Sequence, residues 1–285
     1  MAQHAEASTI PSVKDLASSE ASKRRACLNT VLAFLNEQSA ASPPTPTECL
    51  QLWRGFYVGL YMHDSKNALS VQRLAAELAG TQRIMDEKDR ELSRSAASSG
   101  VPDSGQDQHS HHHHDPWLDV WASAFWETVC REWASIDQWR MNKVLLLVRF
   151  FVREMFNIAL GWAAPNNDES SAAAKGRIAS QLQILESWPL SPRERKVPDG
   201  LRLRVLDVWV DELAGQLGAA QKAVDEAGQS DGGDGGDGGA KKAALLDTAK
   251  AFMAPVQKLS KEALSKGVKV RAKEAVQLAE EKISG

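Results

Sequence analysis

The residue types most able to do chemistry are the imidazoles of the run HSHHHH, at residues 109–114. Imidazole is a good zinc or nickel ligand. A metal centre also needs its ligands held in fixed geometry. This run sits inside SRSAASSGVPDSGQDQHSHHHHDP, which is polar, low in complexity and without apolar period. It reads as a disordered insertion, not a metal centre. The run DGGDGGDGG superficially matches Gly-Asp calcium repeats, but those alternate with apolar residues and this one does not. It reads as a flexible linker. His63 and Asp64 could move a proton, yet no motif places a nucleophile, a glycine elbow or a second acid beside them. They read as the polar end of a helix. No Walker loop or dinucleotide fingerprint occurs. Cys27, Cys49 and Cys130 lie far apart, form no CxxC pair and are odd in number, which argues against a disulfide framework and fits a reducing compartment. The expectation is no catalytic residue, no cofactor, no metal and no small-molecule substrate.

What remains is a set of charged and aromatic residues suited to binding. Glu127, Arg131, Glu132, Asp137, Arg140, Arg149 and Arg153 punctuate the two most apolar segments of the chain. They suit ion pairs between packed helices, or an arginine-lined groove for phosphate or acidic peptide. Lys23-Arg24-Arg25 and Arg193-Glu194-Arg195-Lys196 are short basic clusters that read as solvated faces, though two in one chain are compatible with nuclear entry. Of the nine tryptophans, Trp53, Trp121, Trp133 and Trp209 fall on apolar helical stripes and are expected in the core. Trp126, Trp139 and Trp188 fit the stripes less well and are better candidates for a partner surface, because tryptophan is favoured at binding hot spots.

The elements that must position these residues are helices. Alternating apolar runs closed by tight turns are scarce, while apolar residues recur at steps of three and four. The spacing predicts helices over about 22–36, then from Thr45 or Thr47 through LQLWRGFYVGLYM, then about 69–91. Pro46 suits a first helical turn. Gly55 and Gly59, one turn apart, disfavour a helix interior by about 1 kcal/mol each. The pair predicts close approach of another segment. Further helices are expected from Pro116, across MNKVLLLVRFFVREMFNIALGW, over about 177–188, and across VPDGLRLRVLDVWVDELAGQL. Residues 166–176 read as a polar loop. Residues 243–283 read as two helices broken near Pro255 and Gly267.

Successive helices joined by polar loops predict an all-α fold of antiparallel helix pairs, stacked as an irregular HEAT-like α-solenoid or bundle. The expected organisation is N-terminal helical repeats over 1–92, the disordered His-rich insertion over 93–116, and a central helical region of the same domain over 117–227. The Gly/Asp linker over 228–240 and basic C-terminal helices over 241–285 complete it. With 285 residues, 43% of them hydrophobic, a sizeable core is affordable. A formal net charge of −3 gives no global pull toward nucleic acid or anionic lipid, so any RNA contact must come from a local patch. No secretory signal is visible in the first thirty residues. No run approaches the roughly twenty apolar residues of a membrane span.

Four blocks carry a family resemblance. They are SVKDLASSEASKRRACLNTVLAFL, LQLWRGFYVGLYMHDS, FWETVCREWASIDQWRMNKVLLLVRFFVREMF and VPDGLRLRVLDVWVDEL. In that order and spacing the chain resembles the eukaryotic ribosomal RNA processing protein one family, nucleolar factors of large-subunit biogenesis. In the third block Trp126, Arg131, Glu132, Trp133, Ile136, Asp137, Arg140, Lys143 and Arg149 fall at the family spacing. Tyr61 stands where a second tryptophan is common. The resemblance implies a non-enzymatic assembly factor in the nucleus and nucleolus, acting in pre-rRNA processing and maturation of the large (60S) ribosomal subunit precursor. Its implied partners are other large-subunit assembly factors in a pre-ribosomal particle and pre-rRNA, met directly or indirectly, with no membrane. Arg54, Tyr61, Trp126, Arg131, Trp139, Arg140, Arg149 and Arg153 are the candidate partner-binding residues. The competing readings are a helical-repeat protein-protein adaptor unrelated to ribosome synthesis, and a metal-dependent enzyme or metal buffer using the His run.

Overall fold

A computed structural model describes residues 10–98, 115–164, 171–230 and 236–283. The His run and residues 231–235 of the Gly/Asp run lie outside the described residues. Among those described there are nine α-helices, two short 3-10 turns and no strand. None of these helices is long and apolar enough to cross a membrane. The all-α architecture expected from the apolar periodicity is therefore present. The chain divides into two compact units: residues up to 74 with 81–128, and residues 75–80 with 129 onward.

The first unit is built on α1 (Ala21–Glu37), α2 (Pro46–Met62), α3 (Ala68–Ser98) and most of α4 (Trp117–Glu132). Thr45 caps α2 in a full capping box: its hydroxyl accepts from the Glu48 backbone N–H at 3.2 Å, and the Glu48 carboxylate accepts from the Thr45 N–H at 2.8 Å. The core is aromatic. Trp53 lies 5.6 Å from Phe56, 5.0 Å from Trp121 and 4.8 Å from Phe125, with edge or tilted geometries. Three indole N–H groups in this core find acceptors. Trp53 donates to the Trp121 carbonyl, Trp121 to the Thr81 hydroxyl and Trp117 to the Ala40 carbonyl, at 2.9–3.1 Å. Lys88 is buried and donates to the carbonyls of Asn36 and Gln38, closing the C-terminal end of α1.

The start of α4 shows how α3 substitutes for a local cap. The Asp89 carboxylate accepts from the backbone N–H groups of Trp117 at 2.7 Å and Leu118 at 3.1 Å, 28 and 29 residues further along the chain. Those are orphan donors of a first helical turn. Burial pushes the Asp89 carboxyl up to about 6, and its two backbone donors pull the other way.

The two glycines of α2 do permit close approach, but the approaching segment is the 3-10 turn Lys14–Ala17 and not a neighbouring helix. A Cβ at Gly55 would lie 2.6 Å from the Val13 Cβ and 3.1 Å from Leu16 Cδ1. At Gly59 the nearest atom would be Leu16 at 3.4 Å, an ordinary contact. Gly55→Ala should therefore cost about 1–3 kcal/mol through overpacking. Gly59→Ala should be neutral or stabilising, since alanine is the better helix former. Denaturant melts of the pair check this, and equal effects at both sites would contradict the contact.

The second unit holds α5 (Met141–Ala163), α6 (Ser171–Ser187), α7 (Asp199–Ser230), α8 (Gly236–Glu262) and α9 (Lys266–Lys282). Its side-chain contacts fix the directions. Arg204 of α7 reaches the Leu145 carbonyl of α5, and Glu212, about two turns on, meets Arg149 and Arg153, about one and two turns beyond Leu145, so α5 and α7 run parallel. Arg271 and Lys282 of α9 meet Asp207 and Asp211 in the same sense. Trp209 meets Phe252, and Asp225 meets Lys242, so α8 runs antiparallel to α7. Helices α5, α7 and α9 form one layer, with α6 and α8 packed on it. That is a stack of antiparallel helix pairs.

Three local expectations are corrected. Residues 171–176 belong to α6 and are not loop. Helix α7 continues to Ser230 and α8 begins at Gly236. Pro255 does not break the last region but sits inside α8, and the break falls at residues 263–265. A proline removes one intrahelical donor and perturbs the preceding turn. Within that turn the Phe252 carbonyl accepts a hydrogen bond from the Trp209 indole at 3.2 Å, and Val256 is fully buried. Packing holds the helix together through the proline.

Candidate partner-binding surface

The eight residues read as candidates do not share one surface. In the first unit, Arg54 is exposed on α2 and Tyr61 is half-buried, stacked on Tyr57 at 5.8 Å between centroids. Trp126 is 1% exposed, its ring edge-on to Phe125 at 4.8 Å. It belongs to the core and offers no surface, a correction to its expected role. Its neighbours Phe125 and Val129 carry the stripe, and a sixteen-residue helix this apolar buries more than one face.

In the second unit, Arg149 and Arg153 meet on Glu212, which is 5% exposed on its side chain. Arg153 donates from Nε at 2.7 Å and from Nη2 at 3.2 Å, and Arg149 donates from Nε. Beside them Arg204 donates to the Leu145 carbonyl from Nε at 3.2 Å and Nη2 at 3.0 Å. Burial alone would raise the Glu212 carboxyl, but the two arginines outweigh it and hold the carboxyl below its ordinary value. Of the two uses open to these arginines in the sequence, the structure builds the interhelical ion pair. Their side chains remain about two-fifths exposed.

The turn between α4 and α5 is different. Asp137 accepts at Oδ1 from the backbone N–H groups of Trp139 and Arg140, both at 3.0 Å. Its carbonyl accepts from Met141 at 3.0 Å, and its Oδ2 takes the Arg140 guanidinium. This locks the backbone that carries Trp139, and Trp139 is 78% exposed. Arg131 is exposed at the end of α4. Trp133, expected in the core, is half-buried in a 3-10 turn and covers Gly200, where a Cβ would lie 2.8 Å from its indole nitrogen. Trp188 is half-buried under the Lys196 ammonium, 3.9 Å from the ring centroid.

One feature the sequence did not single out is the bracing of the loop of residues 188–198. Arg202 is buried and organises it, donating to the carbonyls of Ser191 and Glu194 at 2.7 Å, to that of Val197, and to the Asp199 carboxylate at 3.1 Å. In the sequence, Arg202 is one more charge on an amphipathic helix, and RERK one more solvated run. Among the described residues no group of His, Cys, Asp and Glu could hold a metal ion. All three thiols are buried, and burial with the nearby Glu48 charge pushes Cys49 up to about 12.

A family model described as nucleolar protein, Nop52 matches residues 7–284. Among curated proteins the chain is similar to ribosomal RNA processing protein 1 homolog A of Mus musculus, 26% identical over 215 residues and 74% of this chain. It is similar to the Drosophila melanogaster homolog, 26% identical over 220 residues and 75% of the chain, and to homolog B of Homo sapiens, 26% over 230 residues and 79%. These matches take in 35%, 26% and 25% of the relatives' own lengths, so the chain spans about a quarter to a third of the curated relatives it matches. The resemblance read from the four ordered blocks agrees with both comparisons: the chain belongs to the Nop52 family of nucleolar proteins.

Proposed function

We propose that the chain is a non-enzymatic scaffold of ribosome assembly, acting in the nucleolus in pre-rRNA processing and in maturation of the large-subunit precursor. The observation that carries this reading is the family match, which runs through both compact units from residue 7 to residue 284. The names of the similar proteins, ribosomal RNA processing proteins, point the same way. The chemistry of the buried polar groups fits a scaffold. Lys88, Asp89, Arg202 and Glu212 are each occupied in closing helix ends, bracing a loop or bridging helices. Such groups fix shape, and a chain of helix pairs offers long surfaces to partners.

The test is sedimentation of the tagged protein from its own cells on a density gradient, with fractions probed for precursor rRNA. Co-migration with large-subunit precursors, together with accumulation of unprocessed precursor on depletion, is the expected result. Migration as a small complex free of precursor rRNA, with processing unchanged, would leave an adaptor outside ribosome synthesis.

A further inference from the structure

The topology of the second unit gathers at one end three connections that lie far apart in the chain. Because α5, α7 and α9 run parallel, the turn before α5, the loop before α7 and the turn before α9 come to the same end. Trp133 lies against Gly200 at the start of α7, and the Leu264 N–H donates to the Pro192 carbonyl at 3.3 Å. Residues 192–202 and 263–268 enclose a groove of about 500 Å3. Arg202 forms its floor, Arg193 and Arg195 stand at its mouth, and Leu264, 72% exposed, lines one wall.

Charge concentrates here. Segments 193–202 and 261–269 carry seven Lys and Arg against three Asp and Glu, a local +4 on a chain of formal net charge −3. Arg202 is buried and makes four hydrogen bonds in bracing the loop, so accessible cationic contacts fall to the mouth. There Arg193 is 3.9 Å from Glu262 and both are exposed, a weak pair that leaves the guanidinium available. At the same end Trp139 presents most of its indole face from a backbone that Asp137 locks.

We propose that this end of the second unit binds single-stranded RNA, with a base stacked on Trp139 and the sugar-phosphate backbone held by Arg193 and Arg195 at the groove mouth. A pre-positioned aromatic platform at the same end as a cationic groove is what unpaired strands require. A protein hot spot would instead sit within an apolar ring that excludes water. Trp139 is flanked by Gln138, which is exposed, and by the Arg140–Asp137 ion pair. The inference deepens the proposed function and rests on it only for which RNA is met in the cell.

The test is fluorescence anisotropy of the intact chain with a labelled mixed-sequence RNA of about 12 nucleotides, within the site sizes common for single strands. The chain should bind, more weakly as salt rises. Trp139→Ala should weaken binding about tenfold or more, and Trp139→Phe should restore most of it, as stacking predicts. The double variant Arg193→Glu/Arg195→Glu should flatten the dependence of log affinity on log salt by more than 1, since each phosphate contact on a single strand contributes about 0.7. Circular dichroism should be unchanged for all three. Absence of binding at about 50 mM salt overturns the proposal, as does equal binding by wild type and variants. Variants that leave RNA binding absent or unchanged but lose co-sedimentation with the particle would make this end a protein-docking surface. RNA binding that needs Trp139, in a protein that never joins large-subunit precursors, would uphold this inference and sink the proposed function.

Discussion

Trp209→Ala is expected to destabilise the second unit by about 4–6 kcal/mol. Trp209 is 0% exposed on α7 and sits edge-on to Phe156 of α5, 4.8 Å between centroids at 79°. Phe156 in turn stands edge-on to Phe252 of α8 at 5.4 Å. One side chain thus joins three helices from two layers. Truncating a buried tryptophan costs about 3–5 kcal/mol. Losing the indole donor leaves the Phe252 carbonyl, in the turn before Pro255, without that partner, for about 1 kcal/mol more. Total stabilities run to about 5–15 kcal/mol, so this variant should unfold the unit near physiological temperature. Trp209→Phe keeps most of the volume and loses the hydrogen bond, and should cost about 1–2 kcal/mol. Denaturant melts would show the gradation. A loss below about 1 kcal/mol for alanine would contradict the packing of α5, α7 and α8. Trp139→Ala is the control, expected to stay within about 0.5 kcal/mol because its ring touches little.

The contrast between those two tryptophans shows what the sequence can carry. Trp209 lies on a clean stripe with Val205, Val208 and Leu213, and periodicity alone places it in the core. Trp126 and Trp133 depart from the periodic reading in opposite directions, each for its own reason. Helix α4 ends at Glu132, so Trp133 leaves the helical register for a 3-10 turn, while Trp126 remains in a helix buried on several faces. Period does not reveal where a helix stops when no proline or glycine marks the end. Pro255 misleads in the converse way, because a proline signal is local and the contacts that carry α8 through it are not. Indole acceptors, the Asp89 cap of α4 and the Arg202-braced loop join residues whose pairing no spacing encodes. The fold class needs only local pattern and was legible. The surface at the starts of α5, α7 and α9 depends on parallel packing of helices that alternate in the chain, and was not.

Arg149 and Arg153 make the same point with a second large effect. Read as a binding pair, their reversal to glutamate would leave the fold intact. Clamped on buried Glu212, they should behave otherwise. The double variant Arg149→Glu/Arg153→Glu places three carboxylates where one was neutralised by two guanidinium groups. Breaking a buried ion pair from one side costs about 3–5 kcal/mol. The arginines are two-fifths exposed, which reduces the contribution of the pair itself. The added repulsion works the other way, and a net loss of at least about 3 kcal/mol is expected. Glu212→Gln in the reversed background should recover part of it, a coupling that independent surface charges would not show. The pH dependence carries a sign. Because the folded-state carboxyl of Glu212 lies below its unfolded value, its contribution is fully present above the ordinary glutamate range and is lost as pH falls through the folded value. In Arg149→Gln/Arg153→Gln only the charge of Arg204 remains against burial, the largest influence on this carboxyl, which should titrate above the ordinary range. Its cost then grows as pH rises, so the gap from wild type should be wide at pH 7 and narrow toward pH 4. A gap independent of pH would mean that Glu212 is not the acceptor. Only if the neutral variant keeps its fold at pH 7 and still fails to join the precursor particle would the exposed parts of these arginines be credited with a partner.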